Sequence, residues 1–209
     1  MHKLYMNFMS LVRKFGRPDL FVTFTMNANC DEIFKNLFPG QQPTNRPELI
    51  AKVFALMLHK MIESITKESF PFGQVIAWCY TIEYQKRGLP HAHCLFWLSE
   101  SYKPRNADLI DELISAELPE DDPELFELVT KYMMHECKVG RCKENSKCAK
   151  NFPMKYQEMT NANIDGFPAY RRCNRAIVYK GQIFDNAYVV PYNSTLLKML
   201  KLNFYLHFI

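Results

Sequence analysis

The sequence contains no run of about 18 uncharged apolar residues, the length that marks a membrane-spanning helix, so no transmembrane segment is expected. Glycine is scarce, with 7 residues among 209, which excludes a collagen-like or low-complexity chain. No glycine-rich phosphate-binding loop is present, and this disfavours a metal-dependent hydrolase of small phosphate compounds. The N-terminal segment MHKLYMNFMS lacks the apolar core of a signal peptide, so we expect an intracellular protein.

The composition is that of a globular protein. Hydrophobic residues make up 48% of the chain and charged residues 23%. A length of 209 residues corresponds to one domain, or to one domain with a sizeable insertion. Seven cysteines occur in a chain without a secretory signal, so reduced thiols or metal ligands are expected rather than disulfides.

Charge is unevenly distributed along the chain. Residues 1–150 carry 19 basic and 19 acidic residues, whereas residues 151–209 carry 7 basic and 3 acidic residues. Nine acidic residues and no basic residue lie between Asp108 and Glu127, which indicates a solvated, partly helical insertion. The C-terminal basic excess suits contact with a phosphate backbone, and an ordinary basic surface explains it equally well. The candidate DNA-binding residues of this region are Arg171, Arg172 and Arg175.

Helical periodicity is clearest in two segments. Apolar residues recur at helical spacing over residues 4–13. A second, long and largely buried helix is predicted to begin after Asn45 and Glu48, which resemble a capping pair, and to end near Thr66.

Alternating apolar and polar residues predict strands. The predicted strands are LFVTFTMN at 20–27, GQVIAWCYTIEYQ at 73–85 and HAHCLFWL at 91–98, with further strands and a short helix within 187–209 and one strand near residue 189. The second and third of these are joined by the turn KRGLP and form a hairpin. We predict an α+β fold with a central antiparallel sheet flanked by helices, and an acidic and Cys-rich insertion at residues 100–153.

The strongest chemical signal is the hairpin EYQKRGLPHAH. Residues i and i+2 share one face of a strand, so His91 and His93 project together. With a five-residue turn at 86–90, Gln85 lies opposite His91 and Glu83 lies opposite His93, about 4.5–5.5 Å apart at Cβ. Two imidazoles with an oxygen ligand leave coordination positions open for water and substrate. The cluster is therefore a candidate site for a divalent metal.

The surroundings of this cluster are also predicted. The polar face of the first strand, with Thr23, Thr25 and Asn27, lies beside the histidines if the two strands are neighbours. Lys86 and Arg87, in the turn, are candidate DNA-binding residues next to the metal. A purely structural role for the histidine pair is the alternative.

A Cys/His-rich segment suggests a second metal site. His135, Cys137, Cys142 and Cys148 fall within 14 residues, and three thiolates with one imidazole form a closed tetrahedral set typical of structural zinc. The spacing H-x-C-x4-C-x5-C is not that of a standard zinc knuckle, so free surface thiols are the alternative.

Several segments together resemble a known family. The segments are GRPDLFVTFTMN (16–27), TNRPELIAKVF (44–54), FGQVIAWCYTIEYQKRGLPHAHCLFWL (72–98) and DNAYVVPYNSTLL (185–197). In this order, over nearly the whole chain, they resemble the N-terminal helicase-like domain of Helitron transposases, the proteins of rolling-circle transposons. CAKNFP (148–153) is similar to the end of the cysteine run of that family.

The resemblance implies an HUH endonuclease, whose His-hydrophobic-His pair binds Mg²⁺ or Mn²⁺. It assigns that pair to His91 and His93, and the third ligand to Gln85 or Glu83. It also implies a single-stranded DNA substrate, a nuclear location, no membrane association and, in full-length relatives, a covalently linked helicase domain.

The same resemblance implies cleavage by a tyrosine that attacks the scissile phosphate. That tyrosine lies downstream of the VVPYN segment in the family, and this sequence stops at Ile209, so we expect a single, C-terminally incomplete domain at 1–209 without the nucleophile. Neither Tyr192 nor Tyr205 belongs to the nucleophile motif. The alternative function is a non-catalytic, zinc-containing DNA-binding module derived from such a transposase.

Overall fold

The computed structural model describes residues 2–67, 71–85, 88–137, 142–144, 147–161 and 168–209. The chain folds into two compact units. Unit 1 comprises Met1–Lys103 together with Leu202–Ile209, and unit 2 comprises Pro104–Lys201. The insertion expected at 100–153 corresponds to the beginning of unit 2, which continues well beyond residue 153.

Helices and strands occur in both units. The helices are α1 (His2–Phe15), α2 (Asp31–Phe34), α3 (Pro47–Thr66), α4 (Ala107–Leu113), α5 (Pro123–Tyr132) and α6 (Ser194–Leu200). The strands are β1 (Leu20–Thr25), β2 (Val75–Tyr84), β3 (Pro90–Leu98), β4 (Lys143–Glu144), β5 (Lys147–Cys148), β6 (Ala176–Tyr179), β7 (Gln182–Asp185) and β8 (Phe204–Phe208). Within the described part of the chain, none of the helices has the length and apolar character that a bilayer crossing requires.

Unit 1 is built on a four-stranded antiparallel sheet in the order β2-β3-β1-β8. This confirms the predicted α+β fold with a central antiparallel sheet. Strand alternation gives the sheet one apolar face, which contains the buried side chains of Leu20, Val22, Phe24, Ala92, Cys94, Phe96, Phe204, Leu206 and Phe208. Helix α3 covers this face, where Phe24 stacks on Phe54 with 5.1 Å between ring centroids. Burial of a valine, leucine or phenylalanine side chain contributes about 1.5–3 kcal/mol, so the pairing of helix and sheet holds the unit together.

Helix α1 ends at Gly16, and the carbonyl of this glycine is bound by a side chain of the sheet. Gly16 has a φ of 78°, and its amide donates to the Val12 carbonyl at 2.9 Å, so the backbone leaves the helix in the left-handed region that glycine tolerates best. The Gly16 carbonyl accepts a hydrogen bond from Nε1 of buried Trp97 on β3, also at 2.9 Å. Gly16 therefore both ends the helix and anchors a side chain of the sheet.

The hairpin between β2 and β3 differs from its predicted register. The observed pairs are Thr81 with His93, Glu83 with His91, and Tyr84 with Pro90. The prediction that Gln85 lies opposite His91 and that Glu83 lies opposite His93 is therefore wrong by two residues. Because the shift is even, each side chain keeps the face that the alternation predicts.

The turn itself explains the shift. The loop spans residues 85–89, one residue earlier than predicted, and the Gln85 amide donates to the Leu89 carbonyl at 3.0 Å. The Gly88 amide donates to the Gln85 carbonyl at 2.7 Å, with a φ of 77° at Gly88. These two bonds close the turn around a glycine in the left-handed region.

The start of α3 also differs from its predicted cap. The helix begins at Pro47 after Arg46, and no side chain caps it. Asn45 instead forms a reciprocal capping box with Gln42 around a short 3₁₀ turn. Asn45 therefore takes part in capping, but as the N3 residue of the preceding turn, whose N-cap is Gln42.

Unit 2 contains the remaining helices and two small hairpins. Its helices α4, α5 and α6 are capped by Asn106, Asp122 and Asn193, each of which accepts a hydrogen bond from the amide three residues ahead. Buried apolar side chains form its core: Ile110, Ile114, Leu118, Leu125, Val129, Met133, Val189, Tyr192, Leu196 and Leu197. The strand predicted near 189 is wrong in type, because Val189 forms only an isolated bridge with Met134.

The acidic segment of unit 2 pairs with its basic residues. The ion pairs are Arg171–Glu117, Arg175–Glu120, Lys180–Glu127, Lys198–Asp122 and Lys201–Glu124. Unit 2 carries 14 basic and 14 acidic residues, whereas unit 1 carries 12 basic and 8 acidic residues. The net charge of +4 therefore lies in unit 1. Unit 2 is neutral as a whole, because the acidic residues between Asp108 and Glu127 offset the basic excess at residues 151–209.

Arg172 is a structural centre of unit 2. Its side chain is buried, with 3% of the residue surface exposed. Its Nη1 atom donates to the backbone carbonyls of Ala116, Asn186 and Val189 at 3.1, 2.6 and 2.7 Å. Desolvation lowers the pKa of the guanidinium to about 10, so it stays charged at neutral pH and joins three separate segments of the backbone.

We expect Arg172→Met to destabilise unit 2 by about 3–5 kcal/mol, because the substitution leaves three buried carbonyl groups without their donor. The measurement is chemical denaturation followed by circular dichroism. Arg171→Gln is the matched control, since that side chain is half exposed and should change stability by less than about 1 kcal/mol. Equal stability of the two variants would contradict the structural role of Arg172.

Candidate functional site

The histidine pair lies on β3, on the face of the sheet opposite the apolar one. His91 and His93 are both half-buried, and their ring centroids are 4.5 Å apart at an interplanar angle of 82°. Neighbouring Ala92 and Cys94 point into the apolar core. The two imidazoles therefore share one side of the sheet, as the strand period predicts.

A carboxylate from β2 joins the pair. Glu83 lies opposite His91 in the ladder, and its Oε2 atom is 3.5 Å from Nε2 of His93, on the diagonal. The Glu83 side chain is largely exposed and the His93 side chain about one-third exposed. Gln85, the other predicted oxygen ligand, is exposed and belongs to the hairpin loop rather than to β2.

The neighbouring strand β1 supplies a polar wall. Thr25 lies opposite His91 and Thr23 lies opposite His93, so the threonine face predicted to adjoin the histidines does so. Oγ1 of Thr25 is 2.6 Å from Nδ1 of His91. On the same face, Phe21 stacks on His93 with 5.8 Å between centroids and 12° between planes.

Two more side chains of this face were not foreseen from the sequence. Thr81 of β2 lies opposite His93, and Tyr205 of β8 lies opposite Thr23. Thr81 would have followed from the correct hairpin register, but Tyr205 depends on a pairing between distant segments. Asn27, the last residue of the predicted polar face, lies beyond β1 and accepts a hydrogen bond from the Asn29 amide.

The residue types of this arrangement are those of an open divalent-metal site. Two imidazoles and one carboxylate on one face are a ligand set that leaves positions for water or substrate. Glu83 and His93 lie 3.5 Å apart at their nearest ligand atoms, so both could contribute to one cation. The polar partner of His91 on β1 is what ligating histidines ordinarily have at their second nitrogen.

A second group of ligands lies in unit 2. The ligand atoms of His135, Cys137, Cys142 and Cys148 all lie within 4.8 Å of one another. Nε2 of His135 is 3.5 Å from Sγ of Cys142 and 3.3 Å from Sγ of Cys148. A tetrahedral zinc with Zn–S of about 2.3 Å and Zn–N of about 2.0–2.1 Å has S···N edges of about 3.5 Å. The spacing of the donor atoms therefore suits a tetrahedral metal ion.

Local structure brings these four residues together. The backbone of His135 is tied by its amide to the Tyr188 carbonyl at 2.8 Å, and its ring stacks on Phe152 at 4.1 Å. Cys148 lies in the short β4–β5 hairpin, where the Lys150 amide donates to its Sγ at 3.3 Å. Cys142 is buried.

The pKa values of the group shift in different directions. Desolvation and the charge of Lys150 lower the pKa of His135, which favours the neutral imidazole that a metal requires. Desolvation and the neighbouring thiols raise the pKa of Cys137 to about 11. Desolvation also acts on Cys148, but hydrogen bonds from the Lys150 and Phe152 amides outweigh it and lower the pKa of that thiol. A bound metal cation favours the thiolate form of a neighbouring cysteine.

The predicted DNA-binding residues have different surroundings. Arg172 is buried and bound to backbone carbonyls, so its assignment to DNA binding is wrong. Nη2 of Arg171 is 3.2 Å from Glu117, and Nη1 of Arg175 is 2.7 Å from Glu120. For these two arginines DNA contact stays a prediction, since a phosphate would have to displace a carboxylate. Lys86 and Arg87 lie outside the described residues.

A comparison with protein families places the histidine pair inside a matched segment. The family model described as "Helitron helicase-like domain at N-terminus" matches residues 1–96, which contain α1, α2, α3, β1, β2 and most of β3. The histidine pair and Glu83 lie within the matched residues, whereas the Cys/His group and the segment 185–197 lie beyond them. A search among curated proteins finds no match to the chain. Residues 1–96 of this chain, a little under half of its length, thus match the Helitron helicase-like N-terminal domain family.

Proposed function

We propose that unit 1 is the metal- and DNA-binding core of an HUH-type endonuclease of a rolling-circle transposon, acting on single-stranded DNA. The observation that carries the proposal is the cluster of His91, His93 and Glu83 on the polar face of the sheet, inside the segment that matches the Helitron family. A nuclear location belongs to the same proposal, because the DNA of such a transposon lies in the nucleus.

Each part of the cluster has a role in this function. His91, His93 and Glu83 would hold a divalent cation, Mg²⁺ or Mn²⁺, and when bound it would supply Lewis-acid stabilisation of the charge that develops during phosphoryl transfer. Half-burial of the histidines limits competition from water. The excess of basic over acidic residues in unit 1 attracts a polyanion.

No nucleophile is assigned. Tyr192 is unsuitable because it is 2% exposed, its hydroxyl donates to the Glu117 carbonyl at 3.0 Å, and burial raises its pKa to about 12. Tyr205 lies on β8 on the same face as the histidines, but we propose no catalytic role for it.

A second proposal concerns unit 2, where the Cys/His group holds a structural zinc ion. It is supported by the match between the S···N distances and a tetrahedral zinc site. If unit 1 binds no catalytic metal, the protein is instead a non-catalytic, zinc-containing DNA-binding module.

The metal proposal is tested by titrating the zinc-loaded protein with Mn²⁺ in a calorimeter. Replacing His91 and His93 together by alanine removes two ligands and is expected to abolish binding, and Glu83→Gln should weaken it at least about tenfold. His59→Ala is the matched control, because His59 is an exposed histidine of α3 in the same unit. Undiminished Mn²⁺ affinity in the double variant would refute the site.

The substrate proposal is tested with a labelled single-stranded oligonucleotide, with and without Mn²⁺. We expect reversible retention that falls steeply between about 50 and 200 mM salt and that Mn²⁺ strengthens only while His91 and His93 are present. Retention that is the same with and without Mn²⁺, in wild type and in the variant that lacks both histidines, would favour the non-catalytic module. A denaturation-resistant adduct would reveal an active tyrosine, and Tyr205→Phe would then show whether that residue is responsible.

The zinc proposal is tested by metal analysis of the purified protein. Wild type is expected to contain one zinc per chain, whereas Cys142→Ser combined with Cys148→Ser should lose it and lower the thermal unfolding temperature, since binding free energy contributes to folding. Cys173→Ser is the control, because that cysteine is exposed and lies outside the group. Full zinc content in the double variant would contradict the assignment of these ligands.

A further inference from the structure

The contact between β1 and His91 is specific in both position and chemistry. Thr25 is the residue directly opposite His91 in the β1–β3 ladder, and its Oγ1 atom lies 2.6 Å from Nδ1 of the ring. β1 is flanked by β3 and β8 in the sheet, so its backbone is held on both sides. A β-branched threonine also has few side-chain rotamers, and its hydroxyl is therefore held in place before any ligand arrives.

This contact bears on the tautomer of His91. In a neutral imidazole one nitrogen carries the proton and the other accepts, and the hydrogen bond at one nitrogen decides which form prevails. If Nδ1 donates to Oγ1 of Thr25, the lone pair is on Nε2 and that nitrogen can ligate a cation. If the hydroxyl instead donates to Nδ1, the proton is on Nε2 and ligation requires its removal.

His93 has different neighbours, which makes the two histidines distinguishable. Its Nε2 atom lies 3.5 Å from Glu83, and its ring stacks on Phe21. Thr23, opposite His93, occupies the position equivalent to Thr25. The chain thus offers a threonine of the same strand and face as an internal comparison.

We propose that Thr25 is a positioning residue for the metal site: its hydroxyl accepts a hydrogen bond from Nδ1–H of His91 and so holds the ring in the tautomer and orientation in which Nε2 ligates the cation. This inference rests on the proposed metal-binding function of the histidine pair. Thr25 is not proposed as a ligand of the cation.

The first test is the tautomer of His91 in the full chain, measured by long-range ¹H–¹⁵N correlation in buffer free of Mg²⁺ and Mn²⁺. The spectra are recorded at an alkaline pH at which the ¹⁵N shifts of the ring themselves show that it is neutral. We expect a protonated Nδ1 and an unprotonated Nε2 in wild type and in Thr25→Ser, and a loss of this preference in Thr25→Val. Thr23→Val is the matched control and should leave the His91 signals unchanged.

The second test is Mn²⁺ affinity by calorimetry in the same four proteins. Thr25→Val should weaken binding by about 10–100-fold, as is typical when the partner of a ligating histidine is removed, whereas Thr25→Ser should restore affinity to within about threefold of wild type. Thr23→Val should bind as wild type does.

The outcomes separate this inference from the proposed function. Nε2–H as the wild-type form of His91 would overturn the inference without any variant, and so would a tautomer and affinity that do not respond to Thr25→Val. Absence of Mn²⁺ binding in wild type would refute the proposed metal function, while the tautomer measurement would still decide the role of Thr25.

Discussion

The antiparallel pairing of β1 with β3 is the constraint on which the rest of unit 1 depends. It aligns Thr25 with His91 and Thr23 with His93 on one face, and Phe24 with Ala92 on the other. A slip of one residue would turn the histidines into the apolar layer under α3 and expose that layer to water. Burial of the apolar face therefore fixes the position of the polar one, and the energy that stabilises the sheet also organises the candidate metal ligands.

The two candidate metal centres differ in chemistry because their surroundings differ. The sheet presents nitrogen and oxygen ligands on a partly exposed face, which suits a hard cation with open positions for substrate. The Cys/His group offers three thiols and an imidazole on short hairpin and loop segments, which suits a closed structural ion. A metal ion bound there would cross-link segments of unit 2, whereas unit 1 is held together by its sheet and α3.

Ion pairs within unit 2 neutralise basic residues that the sequence alone presents as a positive segment. Glu117 and Glu120 pair with Arg171 and Arg175, and the positive excess of the protein belongs to unit 1. Ion pairs at the surface are individually weak, but together they neutralise the basic segment that seemed suited to phosphate. The net positive charge of the protein thus comes from residues that lie far from that segment in sequence.

The sequence by itself determined the strand alternation, the common face of His91 and His93, and the four members of the Cys/His group, because these follow from local periodicity and close spacing. Tertiary structure alone decided the partners: Glu83 rather than Gln85 beside the histidines, Thr25 at Nδ1 of His91, and β8 as the fourth strand. It also decided that Arg172 is a buried structural residue. The physical reason is that a side chain's direction depends on its own strand, whereas its partner depends on turn geometry and on segments many residues away.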